Sequence, residues 1–273
     1  MGAGIQRSRM PRLQSYLGAR SNVSLAYDLL DGELIHDFDP RRQLYQAIEQ
    51  GYHGLNVTHP YKQQIYSEVA RPLVAGHERI GSYNTLIFAD NEILGANTDY
   101  SGFIQGYSYR FGLREPGVVL LCGAGGVGRA IAFALVKLGV RKLLILDVVP
   151  AQAESLAAAI AETGTSVAVV RQEDLTDVMA SVDGLVNCTA LGMHGHTGSA
   201  FPVEGIARQS WAFDAVYTPL ETQFLQACKA SGLHCLTGFD LWLFQGIDAF
   251  NHFSEVGLEV VPEMVSTTLT WLD

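Results

Sequence analysis

The sequence predicts an α/β fold: an N-terminal α/β unit, then a doubly wound parallel sheet, then C-terminal helices that pack back on the first unit. Three observations predict it. From Val118 the chain reads "VVLLCGAGGVGRAIAFALVKLGVRKLLILD": apolar strand, glycine turn, Ala-rich helix and second apolar strand, the pattern of one βαβ unit buried on both faces. That alternation continues to about residue 237. A separate α/β pattern precedes it, and after Gly238 the apolar residues of "FDLWLFQGIDAFNHF" and "PEMVSTTLTWL" recur at helical spacing.

The elements follow in order. In the first unit the pattern gives a helix around Pro11 to Leu17, a strand "SLAYDLL", a helix from Arg41 to Gln50 and a strand "GLNVT". A helix after Pro60 follows, and then the hairpin "YNTLIFADNEILGANT", in which Asp90-Asn91 is good turn chemistry between two strand-like runs. In the second unit a helix is expected from about Ala151 to Glu162, a strand at "SVAVV", a helix near Asp177, and strands at "GLVNCT" and "WAFDAV". The expected organisation is residues 1–102 with 239–273 as a substrate-binding and catalytic domain, and 103–238 as a nucleotide-binding domain. No internal repeat or low-complexity tract interrupts it.

Composition narrows the function classes. The 273 residues are 48% hydrophobic and 17% charged, as in a globular protein with a full core. A formal net charge of -10 lacks the basic face that nucleic acid or an anionic membrane requires, so the expected partner is a small molecule. Four scattered cysteines (Cys122, Cys188, Cys228, Cys235) form no CxxC pair and no zinc-like spacing, which reads as reduced thiols in a cytoplasmic protein. No apolar run approaches the ~20 residues of a membrane span, and no basic-then-apolar signal pattern opens the sequence. A monomer or homodimer is expected.

Gly123, Gly125 and Gly128 form GxGxxG directly after a strand and at a helix start. There the first glycine permits a tight turn, the second lets phosphates approach and the third allows close helix packing. The helix N-terminus then offers free N–H groups and a favourable dipole to a pyrophosphate. The second strand ends at Asp147, where a carboxylate bonds ribose hydroxyls and repels a 2′-phosphate. No Arg or Lys follows until Arg171. NAD is therefore favoured over NADP, with Arg141 and Lys142 at the strand's start as the nearest counter-argument.

An alcohol dehydrogenase also needs a group that manages the hydroxyl proton. Polar residues recur in the first unit at strand ends: Asn56 and Thr58 before Lys62, Asn84 and Thr85 in "GSYNT", and Asn97, Thr98 and Asp99 in "GANTDYSG". Three such clusters suit a ligand rich in hydroxyls.

Taken in order, "GLNVTHPYK", "GSYNT", "GANTDYSG", "GAGGVG", "NCTALGM", "DAVYTPLETQFL" and "GFDLWLFQGIDAF" resemble the shikimate/quinate dehydrogenases across nearly the whole chain. The resemblance implies oxidation of a ring carbinol of quinate or shikimate, giving 3-dehydroquinate or 3-dehydroshikimate. It implies Lys62 and Asp99 as the catalytic pair, and Ser8, Asn56, Thr58, Asn84, Tyr217 and Gln245 as substrate contacts. It implies a cofactor surface of Gly123, Ala124, Gly125, Gly126, Val127, Gly128, Asp147, Cys188, Thr189, Ala190, Val216, Gly238 and Leu241. A neighbouring carboxylate favours a charged lysine, whereas a base needs desolvation to lower its pKa. Which of the two residues carries the proton stays open at this level.

The chain departs from the family in the stretch "SRMPRLQS". The family's Ser-x-Ser/Thr-Pro segment holds the substrate carboxylate; here Met10 takes the second hydroxyl position and Gln14 that of a His. A thioether is a poor acceptor and cannot donate, so one carboxylate hydrogen bond is lost. Weaker binding of ordinary shikimate or a changed substrate is expected, with Arg7, Arg9 or Arg12 as candidates to compensate. Acidic Asp147 resembles the NAD-using, catabolic branch rather than the NADP-using biosynthetic one, which with aminoshikimate-type enzymes is the alternative reading. A non-catalytic module binding a cyclitol acid and NAD is a second alternative, opposed by retention of both Lys62 and Asp99. The closely spaced pair His194 and His196 has no third ligand nearby and reads as a polar loop rather than a metal site.

Overall fold

A computed structural model describes residues 1–271. The chain divides into two compact units, Met1–Ser101 with Phe244–Thr268, and Gly102–Leu243 with the segment from Leu269. The C-terminal helices thus belong largely to the first unit.

In the first unit α1 (Met10–Ser21) carries Pro11 in its first turn, where a missing N–H costs nothing, and stops at Asn22 in the left-handed region. Helix α2 (Pro40–Glu49) is capped by Asp39, whose side chain accepts from Arg42 N at 2.7 Å. Strands β1 (Gly54–Asn56), β2 (Arg71–Pro72), β3 (Thr85–Ala89) and β4 (Glu92–Ala96) form a mixed sheet of order β1-β3-β4-β2. The β3–β4 turn holds Asp90 and Asn91 at φ 50 and 64, the two positive dihedrals that a two-residue hairpin needs. Leu55, Val57, Ile65, Tyr83 and Leu86 pack with Leu44 of α2 in its core.

Two elements of the first unit differ from expectation. The stretch "SLAYDLL" alternates like a strand but is extended chain without a ladder; a strand needs a paired neighbour, and the Gly2–Asp31 bridge lies just beyond it. After Pro60 no regular helix forms. Residues 59–65 run as overlapping turns, held by Tyr61 N to Thr58 O and Gln64 N to Tyr61 O, with a short 3-10 turn at Tyr66–Glu68.

Helix α3 (Thr98–Phe111) leads from the first unit into the second. There β5 (Val118–Cys122), α4 (Gly126–Lys137), β6 (Lys142–Leu146), α5 (Pro150–Ala161), β7 (Val167–Val169), α6 (Leu175–Met179), β8 (Gly184–Asn187), β9 (Trp211–Asp214), α7 (Gln223–Ala230) and β10 (His234–Thr237) follow. The sheet is wholly parallel, in the order β10-β9-β8-β5-β6-β7. Counted from β5, that is the 3-2-1-4-5-6 order of a dinucleotide-binding, Rossmann sheet, whose strand order reverses between β5 and β8. Its strands are the uninterrupted apolar runs of the sequence because helices cover both faces. Helices α8 (Gly238–Ser254) and α9 (Pro262–Leu269) complete the chain.

Candidate active site

In the first unit, Lys62 and Asp99 meet. Lys62 Nζ lies 2.5 Å from Asp99 Oδ2, and the two side chains are only 12% and 10% exposed. Each is built by its own local device. Asp99 sits in the first turn of α3, where the helix dipole favours a carboxylate. Asn97 caps that helix through its Oδ1 to Tyr100 N at 3.1 Å, while its Nδ2 donates to Ser82 O at 2.9 Å and its N–H to His77 Nδ1 at 3.0 Å. Asn97 therefore fixes the start of α3 instead of facing a ligand. Burial lowers the pKa of His77, so the imidazole is neutral and accepts this bond.

Beside the pair runs a chain of hydrogen bonds. Asn56 Nδ2 donates to Thr85 Oγ1 (2.9 Å), Thr85 and Thr98 hydroxyls meet at 3.2 Å, and Asn84 Oδ1 accepts from Thr98 N at 2.7 Å. Thr98 Oγ1 reaches Gln245 Oε1 of α8 at 3.3 Å. Asn56, Asn84 and Gln245, expected from the sequence as substrate contacts, are thus joined in one network next to Asp99. Thr85 and Thr98 are the buried hydroxyls that join them. The catalytic expectation named neither. Their signal is the repeated Asn-Thr pair itself.

Ser8 and Thr58 share no side-chain hydrogen bond with this network among the described residues. Ser8 Oγ accepts from Met10 N at 3.3 Å, and exposed Thr58 bonds through its backbone, its N–H to Met1 O and its carbonyl to Tyr61 N. Met10 turns inward: its Sδ is 3.5 Å from Gln14 Nε2, which also donates to Gly246 O at 2.8 Å. A Cβ on Gly246 would lie 3.2 Å from that sulfur, so the thioether fills the seam between α1 and α8.

In the second unit the glycine turn ends β5. Gly123 has φ 95, and a side chain there would meet the Cys188 carbonyl at 2.8 Å, so the turn and the close strand ends both demand glycine. Gly128 backs directly onto Gly123 O, where a Cβ has no room, whereas the space beside Gly125 is open. Gly126 and Val127 open α4, and its free N–H groups follow the turn. Asp147, at the end of β6, accepts from Ala124 N at 2.7 Å and Val149 N at 2.8 Å, which holds its carboxylate against the glycine turn. Arg141 pairs with Asp183 and Arg171 with Glu173 and Asp174, all at the exposed surface.

Across the switch point, the loop after β8 carries Cys188, Thr189 and Ala190. Thr189 donates to Asn187 Oδ1 at 2.7 Å, and Asn187 Nδ2 donates to Asp214 Oδ1 at 2.9 Å. Asp214 also accepts from Val216 N at 3.0 Å and from Thr222 Oγ1 at 2.5 Å. One fully buried carboxylate therefore ties together the loops bearing Thr189 and Val216, and burial pushes its pKa up to about 6. The sequence reading missed it. Its signal was an acid inside the apolar run "WAFDAV". Gly238 abuts the Ala215 and Val216 carbonyls, Leu241 is buried, and Tyr217 is half-buried beside Val216.

A Rossmann sheet with a carboxylate after its second strand, joined to an α/β unit that holds a buried lysine–carboxylate pair, defines the class: a nicotinamide-dependent alcohol dehydrogenase. Comparison with known proteins places it more closely. Residues 1–86 match the model described as "Shikimate dehydrogenase substrate binding domain". A quinate/shikimate dehydrogenase (NAD(+)) of Corynebacterium glutamicum strain R is 36% identical over 95% of this chain and 92% of the relative. A shikimate dehydrogenase (NADP(+)) of Streptomyces avermitilis is 34% identical over 93% and 88%. The solved quinate dehydrogenase from Corynebacterium glutamicum in complex with NAD superposes with a TM-score of 0.90 at 36% identity, covering 98% of this chain and 96% of that one. The chain belongs to the shikimate/quinate dehydrogenase family.

Proposed function

We propose that this protein oxidises the ring carbinol of quinate or shikimate with NAD, giving 3-dehydroquinate or 3-dehydroshikimate. The observation that carries the reading is the buried Lys62–Asp99 pair beside a network of amide and hydroxyl groups. When bound, NAD supplies the hydride acceptor.

The chain's own residues supply the rest. Lys62 Nζ gives the substrate hydroxyl a proton partner, and Asp99 fixes its position and balances its charge. Both side chains are largely shielded from solvent, which places the pair to handle the hydroxyl proton as the carbinol is oxidised. Asn56, Asn84 and Gln245 orient ring hydroxyls, with Thr58, Tyr217 and Ser8 as further contacts; Met10 leaves Ser8 as the one hydroxyl of its segment for the carboxylate. The glycine turn and the open start of α4 hold the pyrophosphate, together with Ala124, Gly126 and Val127. Asp147 accepts from the adenosine ribose and disfavours a 2′-phosphate, while Cys188, Thr189, Ala190, Val216, Gly238 and Leu241 line the remaining cofactor surface. Residues 1–102 and 239–273 act as the substrate part, residues 103–238 as the NAD part.

What supports NAD over NADP is the Asp147 carboxylate held against the glycine turn at the end of β6. Purified protein incubated with quinate, shikimate and 3-amino analogues, each with NAD and with NADP, tests the reading through the absorbance of the reduced cofactor. Turnover of quinate or shikimate with NAD is expected; turnover only with NADP selects the biosynthetic alternative. Absence of turnover with every pair overturns the reading.

A further inference from the structure

Two thiols stand together at the outer edge of the second unit's sheet. Cys228 lies in the last turn of α7 and Cys235 in β10, the outermost strand. The chain between them folds back in a fixed way. Gly232, at φ 79, follows the end of α7; its N–H donates to Lys229 O at 3.0 Å and Leu233 N donates to Cys228 O at 3.0 Å, the paired bonds of a Schellman stop. That stop sets Leu233 against Cys228. Side chains alternate along a strand, so Cys235 shares Leu233's face of the sheet, the face that α7 covers. Both cysteines accordingly pack in one apolar cluster with Phe224, Ala212 and Leu233.

The two sulfurs are in contact and differ in surroundings. The thiols share a hydrogen bond; Cys235 Sγ donates to Leu233 O at 3.6 Å, so its sulfur accepts from Cys228. Cys228 is fully buried, whereas Cys235 is partly open at the sheet edge. That hydrogen bond lowers the pKa of Cys235 from its ordinary value, helped by the Lys229 ammonium and opposed by burial, Glu221 and Asp214. The same bond raises the pKa of Cys228, and burial adds to it. One sulfur is thus accessible and inclined to ionise, while its neighbour is shielded and keeps its proton. Neither of the other cysteines has this arrangement: Cys122 is buried with its thiol pushed up by desolvation, and Cys188 stands in the loop after β8.

We propose that Cys228 and Cys235 form an oxidative modification site that reduces a hydroperoxide and closes reversibly to a disulfide. In the first step the Cys235 thiolate attacks one oxygen of the peroxide. An S–O bond forms, the O–O bond breaks, and the leaving oxygen takes a proton and departs as water or an alcohol. In the second step the Cys228 sulfur gives up its proton and attacks the sulfenic sulfur of Cys235. The S–S bond forms, the S–O bond breaks, and the hydroxyl leaves with that proton as water. Each sulfur loses one electron and the peroxide gains two. Cys228 thereby keeps Cys235 from the irreversible sulfinic and sulfonic acids, and a dithiol reductant reopens the bond by exchange.

Trypsin separates the two cysteines, because it cleaves after Lys229: Gln209–Lys229 carries Cys228 alone, and residues 230–273 carry Cys235 alone. The whole chain is treated with a few equivalents of hydrogen peroxide, blocked with an alkylating agent and digested without reductant. The expected product is a single chain lighter by two hydrogens, in which those two peptides are joined and from which dithiothreitol releases them. In Cys228→Ala the same treatment should leave Cys235 as a sulfenic acid, which takes up dimedone at least about tenfold more than in the unaltered chain. Persistence of both thiols after peroxide, a bridge to another cysteine or another chain, or equal dimedone uptake in the two proteins overturns the proposal. None of these readouts depends on turnover of quinate or shikimate.

Discussion

The two sheets of this molecule obey opposite rules. The parallel sheet is built from strands that follow one another regularly, its central strands β5, β6, β8 and β9 largely buried, and the groups proposed to serve the cofactor are chiefly backbone: a glycine turn, open N–H groups and a few short loops. The mixed sheet has strands of two to five residues, an unpaired edge and an irregular turn carrying Lys62. There the proposed functional groups are side chains brought together over long sequence distances. Binding a common cofactor calls for repeated backbone geometry, whereas recognising one hydroxylated acid and moving its proton calls for particular side chains at particular places. The consequence is that substitutions in the first unit should damage chemistry, and those in the second should damage binding or stability.

The largest effect tests that division. Lys62→Ala and Asp99→Asn should each lower kcat by about 10²- to 10⁴-fold, the range of general acid–base catalysis, while calorimetric NAD binding stays unchanged. Wild-type turnover in either variant removes that residue from the proton path. In the second unit, Gly128→Ala forces a methyl onto Gly123 O. It should weaken NAD binding and cost about 1 to 3 kcal/mol of stability by overpacking, read by titration and denaturant unfolding. Unchanged binding would show that the turn is not the phosphate cradle.

A smaller change is expected at Asp147→Asn, which keeps the shape of the side chain and removes its charge. The ratio of kcat/KM for NAD over NADP should fall by about tenfold, or about 1.4 kcal/mol; an unaltered ratio places cofactor choice elsewhere. The smallest effect is visible only against pH. Asp214 has its carboxyl pKa raised from 3.8 to about 6 in the folded chain. Between those values the folded state holds the proton that the unfolded state has lost, so this group's contribution to stability is present below about pH 4 and lost as pH rises towards 6. Tm measured across that window should show the falling component in the wild type and not in Asp214→Asn. The same slope in both would locate the titration in another group.

The same contrast explains what the sequence made legible. The strands β5, β6, β8 and β9 announce themselves as apolar runs, and the glycine spacing marks the turn between β5 and α4, because each depends on residues near in sequence. The pairing of "SLAYDLL" does not: alternation says that a stretch is extended, while its ladder depends on a partner distant in the chain. Strand β2 is two residues long and exists through Ala70 N to Ile93 O and Leu73 N to Gly95 O, bonds that no local pattern encodes. Lys62 and Asp99 stand 37 residues apart, and resemblance to a family, not spacing, proposed them as partners. Thr85 and Thr98 showed in the sequence only as members of polar clusters, and Asp214 was hidden, because the importance of each lies in what it bonds.

Among the described residues no helix is long and apolar enough to cross a membrane, and none of the four cysteines forms a disulfide.

The central claim is that Lys62 and Asp99 act as one unit on the substrate's hydroxyl. A double-mutant cycle on kcat tests it most directly, with Lys62→Ala, Asp99→Asn and both together. The account predicts that the double variant is about as slow as the slower single variant, because removing either partner already disables the pair. A double variant slowed by the product of the two single effects would contradict it, since the residues would then act independently.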